Sequence, residues 1–393
     1  MKFNQDMLDV MRKATSLLQS GRQSDATSKI QQVLQRVLPG AKEPARPAMK
    51  DINPPPPGRA QKPRAEQAES AAPPVQPGAM PDFVADLLQR FGMPGPHGTT
   101  GAPAGANVGS TAPGQFLSGA LTNAAGTRQY KLYVPAAYTG QKIPLVVMLH
   151  GCTQNPDDFA AGTEMNAQAE QTPCLVLYPA QNTAANSSKC WNWFNAIDQQ
   201  REQGEPSIIA DITREVIGKY NVDRRQVYIA GLSAGGAMAA IMGNTYPDLY
   251  AAVGIHSGLP YAAADDLSSA MQAMRAGVSA ARSARANEGA SRPIIVFHGD
   301  RDHTVHPRNG EQLIEQHVDA GSRASVESGS VPGGHKYTRT LHKNRHGDAV
   351  AEQWLIHGAG HAWSGGSKNG SYTDHRGPQA TREMMRFFAT QRQ

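Results

Sequence analysis

Residues 227–236 read VYIAGLSAGG, and residues 237–247 continue AMAAIMGNTYP. The four residues Val227 to Ala230 form an apolar run of the kind that makes a strand buried on both faces. From Gly235 onward, small and apolar residues recur with helical spacing. Between strand and helix sits Ser233 in a Gly-x-Ser-x-Gly turn. Such a turn is strained, and its flanking residues must be small to clear the strand and the helix. It lifts the serine above the sheet edge, at a helix N-terminus. Backbone N–H groups and the helix dipole there favour a developing negative charge. The pattern is short, so its context decides its meaning. It is the sole match in the chain, and strand and helix stand where the turn requires them. The alternative reading is a glycine-rich turn with an idle serine.

The same alternation extends on both sides. RQYKLYVPA (128–136) alternates like a strand. IPLVVMLHG (143–151), PCLVLYPAQ (173–181), AAVGIHSG (251–258), PIIVFHGD (293–300) and AEQWLIHGAG (351–360) are strand runs. SIIADITREVIGKY (207–220), GEQLIEQHVDA (310–320) and GPQATREMMRFFATQ (377–391) have helical periodicity. Apolar strands alternating with helices predict an α/β domain over 116–393, with a mostly parallel sheet covered by helices on both faces.

A serine hydroxyl is a weak nucleophile near neutrality. It needs a base, and the base needs an orienting group. In this architecture the chain order is serine, acid, histidine. Asp300 and Asp302 both follow the strand PIIVFHG. Asp302 lies deeper in the loop and is the preferred acid, with Asp300 as the alternative. Nine histidines follow Asp302. Most, such as His342 and His346 in LHKNRHGD, lie in polar stretches and read as solvated. His361 comes after a strand end and a glycine bend, where a base is delivered, and His357 is the runner-up. The two oxyanion N–H donors fall on Ala234, after the nucleophile, and Cys152, in the loop LHGCTQNP.

The first 115 residues have a different character. Residues 1–38 carry apolar positions on one face of each of two short helices, separated by QSGRQSD, which predicts a helical hairpin. Residues 39–115 are a Pro/Ala/Gly-rich linker; 16 of the 28 prolines fall between 39 and 113. Such a stretch buries too little apolar surface to order itself. Its island PDFVADLLQRFG (81–92) is amphipathic. The formal net charge is +5, and residues 1–115 supply 13 Lys+Arg against 9 Asp+Glu. That excess is too dilute for a phosphate-gripping patch, so nucleic acid is not an expected partner. No apolar run reaches membrane-spanning length. Asp6 and Asp9 interrupt the stretch where a secretory signal would lie. The default expectation is cytoplasmic, with an extracellular location by another export route as the alternative. Three cysteines, 152, 174 and 190, have no metal-ligand spacing. They fit one bridge plus a buried thiol, or three free thiols.

LHGCTQNPDDFA, YPAQ, CWNWF, GLSAGGAMA, HGDRDHTV and GAGHAWSGG, in that order, resemble the polyhydroxybutyrate depolymerase family of esterases, near the feruloyl and acetylxylan esterases. The resemblance covers roughly 116–393. It implies an α/β-hydrolase fold, a triad on Ser233, Asp302 and His361, and hydrolysis of short-chain hydroxyalkanoate esters or their polymer. Neither metal nor organic cofactor is implied. Feruloyl or acetylxylan ester hydrolysis is the second expectation. Trp191, Trp193 and Trp363 are candidate substrate-facing aromatics, with core packing of at least one as the alternative. A Cys152–Cys190 bridge would brace the oxyanion loop. A reading of another class is a non-catalytic protein docked to a granule or protein partner through residues 1–38.

Overall fold

The computed structural model describes residues 113–279 and 292–393. The hairpin expected at 1–38 and nearly all of the linker expected at 39–115 lie outside the described residues.

A ten-stranded sheet carries the fold, in the order β1-β2-β4-β3-β5-β6-β7-β10-β9-β8. Its centre is β4 (Leu175–Pro179), β3 (Ile143–Leu149), β5 (Val222–Leu232), β6 (Ala252–His256), β7 (Ile294–Gly299) and β10 (Ala349–His357). These six run parallel. β1 (Gln115–Asn123) and β2 (Gly126–Val134) close one edge antiparallel. β8 (Arg323–Ser330) and β9 (Lys336–Lys343) close the other.

Alternate residues of each central strand feed two cores. Leu145, Val147 and Leu149 join one; Val146 and Met148 join the other. This is why these strands read as unbroken apolar runs: both faces are covered. Helices α3 (Gly204–Lys219), α4 (Ala234–Thr245), α5 (Leu267–Ala276) and α6 (Arg308–Glu315) pack on the first face. Helices α1 (Pro156–Thr163), α2 (Met165–Gln171) and α7 (Ala380–Ala389) pack on the second. The expected α/β architecture with helices on both faces is therefore present.

Several elements left no periodic signal. Helices α1 and α2 are eight and seven residues long and meet at Glu164, whose backbone is left-handed. What starts α1 is local chemistry: the Asn155 side chain caps the Asp158 N–H, and Pro156 occupies the first turn. A capping box at Asp266 and Ser269 starts α5. The β8–β9 hairpin is exposed along nearly all of β8. It has no apolar face to alternate, and cross-strand pairs from Arg339 to Glu327 and Glu352, each 2.9 Å, help hold it. His342 therefore lies half-buried on β9, not in a solvated loop. Among the described residues, no helix is long and apolar enough to cross a membrane.

Candidate active site

Ser233 stands between β5 and α4 with φ 57° and ψ −119°. For a non-glycine residue such a backbone costs about 1–3 kcal/mol and persists because the surroundings fix it. The flanking glycines explain how. A Cβ on Gly231 would come within 2.3 Å of the Gly235 carbonyl carbon, and one on Gly235 within 2.1 Å of the Leu149 carbonyl oxygen. Only the bare backbone fits at either position. The Ser233 N–H donates to the His256 carbonyl at the end of β6, 2.9 Å away.

The loop after β7 presents Asp302. Its side chain is fully buried. Oδ1 accepts the N–H groups of Thr304 and Val305 at 2.9 and 2.8 Å. Oδ2 lies 2.7 Å from His361 Nδ1 and 3.4 Å from His298 Nε2. Burial pushes this carboxyl upward, but the imidazoles of His361 and His298 outweigh it and hold it well below the usual carboxylate range. His361 thus donates through Nδ1, which leaves Nε2 as its basic nitrogen. The alternative pair, Asp300 and His357, also meets: His357 Nδ1 is 3.0 Å from Asp300 Oδ2, and Gly358 N–H donates to Asp300 Oδ1 at 2.7 Å. That pair is solvent-facing and braces the loop that delivers His361.

A buried histidine, which the sequence did not single out, ties the elements together. His256 stacks on Phe297 and Trp363. Its Nε2 accepts the Ser364 N–H at 3.0 Å, and its Nδ1 lies 3.2 Å from Ser257 Oγ. Burial drives its pKa down to about 3, helped by His298 and His361. It is a neutral strut between the strand end beside Ser233 and the loop that carries His361.

Opposite, Cys152 and Ala234 line the same cavity as Ser233 and His361. Neither amide makes a hydrogen bond within the described residues. The Cys152 loop is fixed from several sides. Gly151 N–H donates to Gln154 Oε1 at 2.9 Å, and Thr153 N–H to the Ser188 carbonyl at 2.7 Å. A disulfide joins Cys152 to Cys190, while Cys174 is a buried free thiol.

The cavity is a slot with about 30 Å³ of room, on the order of one or two ordered waters. Leu232, Leu259, Met274, Thr304, Val305 and Trp193 give it an apolar wall, and Tyr372 stands at the rim with its hydroxyl 3.2 Å from Thr153 Oγ1. The sequence offered no signal for Leu259, Met274 or Tyr372, because they come from two loops and helix α5 and meet only in the fold. Of the three tryptophans expected to face substrate, only Trp193 lines the slot. Trp191 and Trp363 are corrections: both are core residues. Trp191 donates to the His150 carbonyl, and Trp363 packs on Phe159 and donates to Thr381. Their indole N–H groups are satisfied inside the protein, so burial removes them from the cavity.

The sheet order, the strand-to-helix serine turn and the acid and histidine on later loops define an α/β-hydrolase fold. Residues 128–327 match the model of the esterase PHB depolymerase family, and the chain belongs to that family. It is 32% identical over 250 residues to poly(3-hydroxyalkanoate) depolymerase C of Paucimonas lemoignei, covering 61% of this chain and 59% of that protein. It is 28% identical over 210 residues to feruloyl esterase B of Neurospora crassa, covering 50% of this chain and 70% of the other. Among solved structures, acetyl xylan esterase from Aspergillus awamori superposes with a TM-score of 0.52 at 18% identity, over 70% of this chain and 99% of that one; this likeness speaks to the fold. The chain spans 59% and 51% of the lengths of two depolymerases it matches.

Proposed function

We propose that the chain is a serine esterase that cleaves ester bonds of poly(3-hydroxybutyrate) or its short oligomers. The observation that carries this is the 2.7 Å Asp302–His361 contact at a slot shared with a strained Ser233. Ser233 Oγ attacks the ester carbonyl as His361 Nε2 takes its proton. Asp302 holds the imidazole in the required tautomer and stabilises its positive form. The unpaired N–H groups of Cys152 and Ala234 receive the oxyanion. His361 then protonates the leaving oxygen. Water, activated by the same imidazole, releases the acyl group.

The slot's narrow apolar wall favours a short aliphatic acyl group over a broad phenolic ring. The feruloyl or acetyl ester reading stays as the second, supported by the relatives of those names. Turnover of p-nitrophenyl butyrate by the wild type and by Ser233→Ala tests the chemistry; equal rates would refute it. A panel of hydroxybutyrate oligomers, methyl ferulate and acetylated xylan tests the substrate. Docking to a granule or protein partner through residues 1–38 is a further expectation, read by comparing granule binding with and without residues 1–115.

A further inference from the structure

Beyond the oxyanion loop lies a larger cleft that this chemistry does not use. It has about 780 Å³ of room, and its lining comes from β1, β2, residues 155–157 and residues 180–189. Three charged side chains line it: Lys131, Asp157 and Lys189. Lys131 is compensated, with Nζ 2.5 Å from Asp157 Oδ1 and 4.9 Å from the centre of the Phe116 ring. Lys189 makes no ion pair or side-chain hydrogen bond among the described residues, so the cleft keeps one uncompensated positive charge. Around it, Ser118, Gln129 and Thr183 line the cleft with uncommitted hydroxyl and amide groups.

Lys189 is rigidly tied to the reacting centre. It precedes Cys190, whose disulfide places its Cα 4.2 Å from that of Cys152. One peptide step further, the Cα of Lys189 stands within about 8 Å of Cys152, the expected oxyanion donor. Lys189 and Thr153 both hold left-handed backbone, φ 54° and 66°, where the two loops lock together. Gln154 lines the slot and its neighbour Asn155 lines the cleft. The oxyanion loop is therefore the wall between slot and cleft.

We propose that this cleft receives the leaving chain of the substrate and that Lys189 binds the free carboxylate at its end. The proposal rests on the esterase reading above. In that reaction the bond between carbonyl carbon and ester oxygen breaks, and the carbonyl carbon stays on Ser233 Oγ. The departing oxygen takes the proton held by His361 and leaves as a hydroxyl. When the substrate is a hydroxyacid oligomer, the leaving piece carries a carboxylate at its far end. A lone ammonium among amides and hydroxyls suits such a piece: one anion and several polar ester or hydroxyl oxygens. A uronic acid on a polysaccharide offers the same chemistry from another source.

The test is calorimetric binding to the full-length Ser233→Ala chain, which does not depend on turnover. Three ligands are compared: hydroxybutyrate trimer as the free acid, its methyl ester, and a glucuronic-acid-bearing xylo-oligosaccharide. The free acid should bind about fivefold tighter than the methyl ester. Adding Lys189→Gln should erase that gap, with thermal unfolding confirming that the variant is folded. The proposal is overturned if acid and ester bind alike or not at all, or if the gap survives Lys189→Gln. If only the sugar acid responds to Lys189, the carboxylate site stands and the hydroxyalkanoate reading falls. Absence of p-nitrophenyl butyrate turnover by the wild-type chain would remove the esterase reading instead.

Discussion

Two aspartate–histidine pairs hang from the same two loops. Asp302 meets His361, and two residues back Asp300 meets His357, with contacts of 2.7 and 3.0 Å. Residue types and spacing are nearly the same, yet their surroundings differ. The Asp302 side chain is fully buried and its carboxylate is met by two amides and two imidazoles. Asp300 and His357 are 35% and 40% exposed. His361 opens onto the slot shared with Ser233, whereas His357 Nε2 faces Thr338 Oγ1 on strand β9, 2.9 Å away. Pairing an acid with an imidazole is thus not enough. The inner pair differs in being buried, over-determined and open to the cavity that Ser233 also lines.

The largest expected effect breaks the comparison outright. Asp302→Asn and His361→Ala should each lower kcat on p-nitrophenyl butyrate by roughly 10⁴-fold. Asp300→Asn and His357→Ala should change it by less than about fivefold, since they touch the base only through its loop. A reversed ranking would move the catalytic assignment to the outer pair.

How far the sequence could be read follows the same divide between buried and exposed. The parallel strands were legible because burial on both faces demands unbroken apolar runs. The Ser233 turn was legible because a Cβ on Gly235 or Gly231 would come within 2.1 or 2.3 Å of backbone atoms, which leaves room only for glycine. The β8–β9 hairpin was not, since β8 is exposed on both faces and carries no apolar alternation. Nor could the sequence sort the tryptophans: a cluster such as CWNWF looks the same whether its rings line a cavity or fill a core. What decides it is the destination of each indole N–H, the His150 carbonyl for Trp191 and Thr381 for Trp363, and both partners are remote in the chain. His256 escaped notice for the same reason, because two of its partners, Trp363 and Ser364, lie more than a hundred residues on.

A middle-sized effect sharpens why the inner pair is well held. His256→Phe keeps the stacked ring but removes the acceptor for Ser364 N–H, just beyond His361. Leaving that buried N–H unsatisfied should cost about 1–3 kcal/mol of stability. Loosening the base should lower kcat by about tenfold with little change in KM, measured on the same ester. The matching change on the outer pair, Thr338→Val, removes the His357 partner and should leave kcat within about twofold. Equal effects would show that the strut does not act through the base.

The last effects are on stability and appear in acid, where the pH window separates the groups. His150 and His256 are held neutral by burial, with pKa values lowered to about 4 and about 3. Unfolded, each takes a proton near pH 6.5, and folded, it does not until far lower. Their contribution is therefore complete above pH 6.5 and is lost as pH falls from there toward 4 and 3. The slope is about 1.4 kcal/mol per pH unit for each imidazole. The carboxylates act in a lower window. Asp302 and Asp300 both titrate below their unfolded values, so each stabilises the fold above about pH 4 and loses that contribution as pH falls further. Solvent screens the exposed Asp300, so its share is the smaller. Urea unfolding at pH 7, 5 and 3.5 reads both windows. His256→Phe should flatten the stability curve between pH 6 and 4, and Asp302→Asn should flatten it below pH 4 more than Asp300→Asn does. If the two asparagine variants flatten the curve equally, burial is not what distinguishes the inner pair from the outer.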